Sequence, residues 1–309
     1  SSLADGTYTV YVLGGDSAGN WTSENQAVAS KTWTVDAASP RVVINEVLAL
    51  NTSAVAHAGR YPDMIELVNR GGTAIDLGGM SLTDDPSDPA KFTFATGTLL
   101  GAGEFLVLYA DDDTAAPGIH LGFSLNGRGD GLWLYDAPAR GSALLDAVEF
   151  GVQAANLSIG RVGHYETWAL NQPTLGGENL AARTGDPATL KINEWLASGQ
   201  LRMNDDFVEL HNTDPLPVAL GGLYLTDRPI GNPAKHQLAP LSFVAGDGFA
   251  WFQADENTQN GPEHLRFRLS ANGELLGLYG SDLREIDKLI FYPQTTDYSQ
   301  GRTPDGAAT

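Results

Sequence analysis

The sequence predicts an all-β protein built from tandem β-sandwiches. Three observations carry that prediction. Short runs of β-formers recur at regular spacing between turn residues, and no window keeps a helical period of 3.6 residues. A set of ordered segments also returns about 145 residues after its first appearance. A period of that length is domain-sized, so it signals tandem domains rather than a solenoid.

The repeat is carried by Ile44-Asn45-Glu46, by Asp63-Met64-Ile65-Glu66-Leu67-Val68-Asn69 and by Leu82-Thr83-Asp84. They return as Ile192-Asn193-Glu194, Asp206-Phe207-Val208-Glu209-Leu210-His211-Asn212 and Leu225-Thr226-Asp227. Pro89-Ala90-Lys91 comes back as Pro233-Ala234-Lys235, and Asn126-Gly127 as Asn272-Gly273. His120, Phe123 and Leu125 match His264, Phe267 and Leu269; Asp146 and Phe150 match Asp287 and Phe291. Almost every matched position is a turn or core type, which marks a shared fold rather than a shared active site.

Taken in order, residues 1–38 read as strand, turn, strand. Tyr8 to Leu13 is rich in β-formers, Asp16 to Asn20 has turn chemistry, and Lys31 to Asp36 alternates. Two or three strands cannot bury a core alone. Ala37-Ala38-Ser39-Pro40 reads as a linker. In residues 41–183, Met64 to Asn69 alternates, with Ile65 and Leu67 on one face and Met64, Glu66 and Val68 on the other. Strands are expected at Thr73 to Leu77, Met80 to Thr83, Gly103 to Tyr109, Gly131 to Tyr135 and Ala147 to Phe150, with His120 to Leu125 as a further one leading into the Asn126-Gly127 turn. Residues 188–309 repeat this order.

The chain has 309 residues, 38 of them acidic and 18 basic, for a net charge of −20. The excess is spread evenly: −3 over residues 1–40, −9 over 41–183 and −8 over 184–309. No basic face is available to neutralise phosphates, which argues against nucleic acid and anionic membrane surfaces as partners. There is no cysteine, so disulfides, thiolate catalysis and Cys-ligated metals are excluded. No apolar run reaches membrane-span length. The chain starts at Ser1 with no visible signal peptide, and is read as a fragment of something longer.

Tyr8-Thr9-Val10 with Asp16-Ser17-Ala18-Gly19-Asn20 resembles the closing half of bacterial immunoglobulin-like or fibronectin-III-like modules. Ile44-Asn45-Glu46, Glu66-Leu67-Val68-Asn69, Asp76 to Asp84, His120 to Leu125 and Ser158-Ile159-Gly160-Arg161, each echoed later, resemble bacterial lamin tail domains. The sequence departs from that pattern where the family usually has Trp before Glu-Leu, with Met64 and Phe207 instead. The resemblance implies tandem immunoglobulin-like β-sandwiches over 41–183 and 188–309, the second cut short, after a partial immunoglobulin-like segment over 1–38. It also implies a non-catalytic scaffold or adhesion module of a large exported or cell-surface bacterial protein. Its partners would be other domains of the same longer chain and a protein or glycan. The alternative is a glycan- or calcium-binding accessory module of a secreted enzyme.

No catalytic constellation is expected. There is no Gly-x-Ser-x-Gly elbow and no His-x-x-x-His spacing. Glu46 and Glu194 are expected on the apolar face of Ile44 and Ile192, where a carboxylate needs partners. Either each caps loop amides, the preferred reading, or each pairs with the arginine of its own Ser-x-Gly-Arg, Arg161 and Arg302. Asp84, Asp85, Asp88 and Asp111-Asp112-Asp113 form acidic loops of the oxygen-rich kind that calcium takes, although solvated loop tips are the preferred reading and no cofactor is otherwise implied. Arg128-Gly129-Asp130 spells an adhesion tripeptide, read as a chance occurrence because Gly273-Glu274-Leu275 stands near the equivalent turn.

Overall fold

The computed structural model describes residues 4–16, 18–29, 32–35, 40–200 and 205–307. It divides the chain into two compact units, residues 1–41 and 42–309. The linker expected at 37–40 lies outside the described residues except for Pro40.

Among the described residues, the first unit has four short strands: β1 (Gly6–Tyr8), β2 (Tyr11–Val12), β3 (Val28–Ala29) and β4 (Trp33–Val35). β1 pairs with β4 and β2 with β3, both antiparallel. The single strand expected over Tyr8 to Leu13 is therefore broken into two. Asp16 fixes the turn as expected, its carboxylate accepting from the amides of Ala18 and Asn20, each at 2.9 Å. Ribbons this small cannot bury their apolar residues, and Trp21 and Val28 are each 71% exposed.

Among its described residues, the second unit is all β apart from single 3-10 turns. Its first half runs β5 (Val42–Leu48), β6 (Asp63–Asn69), β7 (Ile75–Asp76), β8 (Ser81–Thr83), β9 (Phe92–Thr93), β10 (Leu99–Leu100), β11 (Phe105–Ala110), β12 (Asp130–Tyr135), β13 (Leu144–Phe150), β14 (Ser158–Val162), β15 (Thr167–Gln172) and β16 (Leu180–Ala181). One sheet has the order β11-β6-β5-β14-β15-β16 and faces a second sheet, β13-β12-β8-β9. Ile44, Val47, Ile65, Leu67, Leu82 and Leu134 fill the space between them, all fully buried. This is the sandwich arrangement that alternating short strands require.

The second half runs β17 (Leu190–Leu196), β18 (Asp206–Asn212), β19 (Val218–Ala219), β20 (Tyr224–Thr226), β21 (His236–Gln237), β22 (Phe243–Val244), β23 (Phe249–Ala254), β24 (Glu274–Tyr279), β25 (Glu285–Phe291) and β26 (Gln300–Gly301). Its sheets have the orders β23-β18-β17-β26 and β21-β20-β24-β25. They enclose a second core around Ile192, Val208, Leu210, Leu225, Phe252 and Leu278.

Two local expectations are corrected. β5 does not alternate evenly: Ile44 pairs with Leu67, but Glu46 pairs with Glu66. Asn45 is the extra residue of a β-bulge, so Ile44 and Val47 share the core face while Glu46 turns away from it. β17 carries the same bulge at Asn193. β6 is buried on both faces, including Met64, Glu66 and Val68; over Glu66 the cover is the segment beyond β15, which reaches it through the Gly176 amide. His120 to Leu125 is not a strand. It is a loop joined to β11 by one bridge, with Gly122 at φ 76°, and it still lowers Leu121, Phe123 and Leu125 into the core. His264 to Leu269 is a loop of the same kind.

Leu82 is fully buried while Ile230 is 83% exposed. Leu82→Ala should therefore lower stability by about 2–5 kcal/mol in urea unfolding, and Ile230→Ala by less than about 0.5 kcal/mol. Equal losses would contradict this placement of the core.

Candidate functional site

On its β14 side, β5 pairs only at Glu46 and Val47, so the Ile44 amide and carbonyl meet no strand there. A buried carboxylate–guanidinium pair takes both groups. Asp146, on β13 in one sheet, accepts from the Ile44 amide at 2.8 Å. Arg161, on β14 in the other sheet, donates through Nε to the Ile44 carbonyl at 2.9 Å and through Nη2 to Asp146 at 2.8 and 2.9 Å. The same clamp recurs in the second half. Ile192 donates to Asp287 at 2.8 Å, Arg302 Nε donates to the Ile192 carbonyl at 2.8 Å, and Arg302 Nη2 donates to Asp287 at 2.9 Å.

The pairing of Glu46 with Arg161, and of Glu194 with Arg302, is thus corrected. The bulge turns each glutamate off the core face, and the arginines bind aspartates from the opposite sheet. The signal was in the sequence, since Asp146 and Asp287 are matched positions of the repeat. The capping reading does describe Glu46. It accepts from Ser158 Oγ at 2.5 Å, the Thr174 amide at 2.9 Å and Thr174 Oγ1 at 3.2 Å.

Glu66 lies across the strand pair from Glu46 and is equally buried. It accepts from Asn45 Nδ2 at 2.7 Å and from the Gly176 amide. Asn179 Nδ2 closes the segment by donating to the carbonyls of Asn45 and Arg161, each at 2.9 Å. Residues 174–179 thus form an arm strapped over two buried carboxylates. Burial raises the Glu46 carboxyl above its usual range and pushes that of Glu66 up to about 7, with the neighbouring Glu46 adding to the second shift. Burial also raises Asp63, to about 6.

Beside the arm lies a polar cavity of about 320 Å³ whose wall includes Asn45, Arg70, Arg161, Glu166 and Asn179. Arg70 Nε and Glu166 face each other at 3.1 Å. Glu46 and Glu66 do not line this cavity. A general acid must reach the substrate proton directly or through one water, and these two carboxyls are closed off beneath the arm.

The acidic loops have internal partners. Lys91 Nζ lies 2.6 Å from Asp84, and Asp85 accepts from the Ser87 amide and hydroxyl at 2.8 and 2.7 Å. The Asp88 amide donates to the Asp85 carbonyl at 2.9 Å and the Thr114 amide to the Asp112 carbonyl at 2.9 Å. Asp111 holds His120 Nδ1, and Asp113 is 3.7 Å from Arg60. Among the described residues, no three His, Asp or Glu converge as metal ligands.

The adhesion tripeptide is also held internally. The Arg128 guanidinium stacks 4.8 Å over Trp251, and Asp130 accepts from the Asn126 amide at 2.8 Å.

Sequence reasoning missed a second cavity, of about 430 Å³, walled by Tyr224, Lys235, His236, Gln237, Thr258 and Arg266 among others. No spacing motif marks those residues. Only the exchange of Phe92 for His236, next to the repeated Pro-Ala-Lys, could have pointed there.

Two predictions follow from the clamp and the arm. Asp146→Asn and Arg161→Met should each cost about 3–5 kcal/mol, and the double variant less than their sum, because each single change strands a buried charge. Denaturant unfolding of the four chains decides it, and strict additivity would refute the clamp. Second, Glu66 and Asp63 bind protons more tightly folded than unfolded. The stability they confer is complete below about pH 4 and declines as pH rises through about 6 and 7. Glu66→Gln should flatten the fall of Tm between pH 4.5 and 7.5, and an unchanged slope would show that Glu66 is not its source.

No curated protein and no solved structure matches the chain. Residues 35–151, which hold the bulge, both carboxylates and the strand of Asp146, match the family model of the Lamin Tail Domain, and this match supports a lamin-tail, immunoglobulin-like family for that segment.

Proposed function

We propose that this chain is a non-catalytic structural and interaction module: two lamin-tail-type sandwiches in tandem over 41–183 and 188–309, following part of another immunoglobulin-like domain, within a larger exported or cell-surface protein. Its role is to hold neighbouring domains of that protein at a fixed spacing and to present loops and sheet edges to a protein or glycan partner.

One observation carries the reading. The two halves of residues 42–309 are joined by main-chain hydrogen bonds and by apolar side chains that each lends to the other's core. The Phe243 amide donates to the Val152 carbonyl at 2.7 Å, and the Gly151 amide donates to the Pro240 carbonyl at 3.2 Å. Gln153 Nε2 donates to the Leu241 carbonyl at 2.7 Å. Phe243 belongs to the core of the first half, while Val152 packs against the core of the second. A hinge would need these bonds broken and apolar surface exposed, so the junction is rigid. The even spread of net charge suits a soluble spacer.

The junction has no room to spare. A Cβ on Gly151 would fall 2.0 Å from Ser242 Oγ. The chain has no cysteine, so spin labels placed by Ser87→Cys and Asp282→Cys report one distance between the halves. That distance should be narrowly distributed in the parent chain and broadened by Gly151→Val. Calorimetry should show one unfolding transition for residues 42–309, splitting into two in the variant. A broad distance distribution in the parent chain would sink the rigid-spacer reading.

A further inference from the structure

The groove that holds the 430 Å³ cavity occurs twice. In the first half it is walled by Phe92, Thr93, Ala95, Thr114 and His120, and in the second by His236, Gln237, Ala239, Thr258 and His264. The two sets stand at one constant offset in sequence, and both grooves begin beside the same ion pair, Lys91–Asp84 and Lys235–Asp227. The imidazole at 236 has no counterpart in the first half, where Phe92 stands; the amide in the place of the one that meets His236, that of Gly122, donates to the Asp111 carbonyl at 2.8 Å instead.

His236 is 8% exposed. Its Nδ1 accepts from the Arg266 amide at 3.1 Å. That contact fixes the tautomer and leaves the proton on Nε2, and Nε2 has no hydrogen-bond partner among the described residues. A buried donor without a partner destabilises a fold, and one in the wall of a cavity points to a ligand. Burial, with the Arg266 charge adding to it, depresses the ring to about 4, so it stays a neutral N–H donor at physiological pH.

The rest of the wall donates as well. The Arg266 guanidinium is exposed and makes no ion pair among the described residues. Gln237, Thr258 and Tyr224 add amide and hydroxyl donors. Lys235 is held by Asp227 at 2.8 Å, and His264 Nδ1 by Asp255 at 2.8 Å. Glu263 is not in the wall; its carboxylate lies 3.9 Å from His264 Nε2. In a chain of net charge −20, this cavity combines an unpaired guanidinium with an unpaired neutral donor. A guanidinium fork matches a planar carboxylate, and the volume exceeds what a carboxylate alone fills.

We propose that this cavity in the second half binds the carboxylate of a small ligand, held by Arg266 and by His236 Nε2–H. The proposal stands apart from the rigid-spacer reading, since either can fail without the other. Two sources share the chemistry, an acidic sugar and a peptide C-terminus.

The test is an NMR titration of the whole chain, following the His236 imidazole signals. The probes are glucuronate and N-acetyl-glycylglycine, with glucose and the peptide amide as neutral counterparts. At least one acid should shift His236 with saturation below about 20 mM, and its neutral counterpart should not. A stronger response to glucuronate assigns an acidic sugar; a stronger response to the peptide acid assigns a chain terminus. His236→Phe, followed through the backbone amide signals of Arg266 and Thr258, should lower Tm modestly because it strands the Arg266 amide, leave the chain folded, and abolish binding. Arg266→Gln should weaken binding about tenfold. The proposal is overturned if neither acid moves His236, if the neutral probes bind equally, or if His236→Phe binds as the parent does.

Discussion

Everything in residues 42–309 hangs on how a β-bulge is satisfied. The extra residue at Asn45 shifts the face of the chain in mid-strand, and just before it the Ile44 amide and carbonyl have no partner on β14. Asp146 and Arg161 take both groups and each other. Because they come from opposite sheets, satisfying the bulge also fixes one sheet against the other. The charges are largely buried, with side-chain exposures of 12% and 17%. Such a pair stabilises little overall against an apolar substitute, but it tolerates only one register. The second half repeats the solution with Asp287 and Arg302.

The bulge then determines what stands on the outer face. Glu46 and Glu66 end opposite one another instead of in the core, and the arm of residues 174–179 covers them. In the second half, Asn193 bridges Glu209 at 3.2 Å and Asp305 at 3.1 Å, and the Gly306 amide donates back to Asn193 Oδ1 at 2.9 Å. The covering segment differs in sequence, yet in both halves the bulged asparagine ties it down. Conformational restraint comes from a polar residue that composition alone would assign to a turn.

Much of the architecture was legible in the sequence. The alternation in Met64 to Asn69 marks a real strand, the Asn126-Gly127 turn stands just before β12, and duplicated segments such as Met64 to Asn69 and Phe207 to Asn212 mark corresponding strands. What stayed hidden has a common physical cause. Side-chain period reports a face only while the ladder is regular, so the bulge at Asn45 inverted the reading of Glu46. His120 to Leu125 alternates because a loop dips its apolar residues into the core, which imitates a strand. The partner of Arg161 lies across the sandwich, and local spacing does not encode a contact between sheets. The His236 cavity was illegible for the same reason, since its wall comes from separate loops and strands.

The placement of the second clamp has a mechanical consequence. Arg302 follows β26 and grips Ile192 on β17, the strand that opens the second half. β17 and β26 are antiparallel neighbours, so the start of one and the end of the other lie at the same edge of the sheet. A pull between those points opens the ladder one hydrogen bond at a time instead of shearing it as a whole. The guanidinium stands at that edge, where such a load arrives first. The resistance of this half to tension at that end therefore rests on a buried ion pair, which salt screens little, and on the bonds of Asn193 beside it.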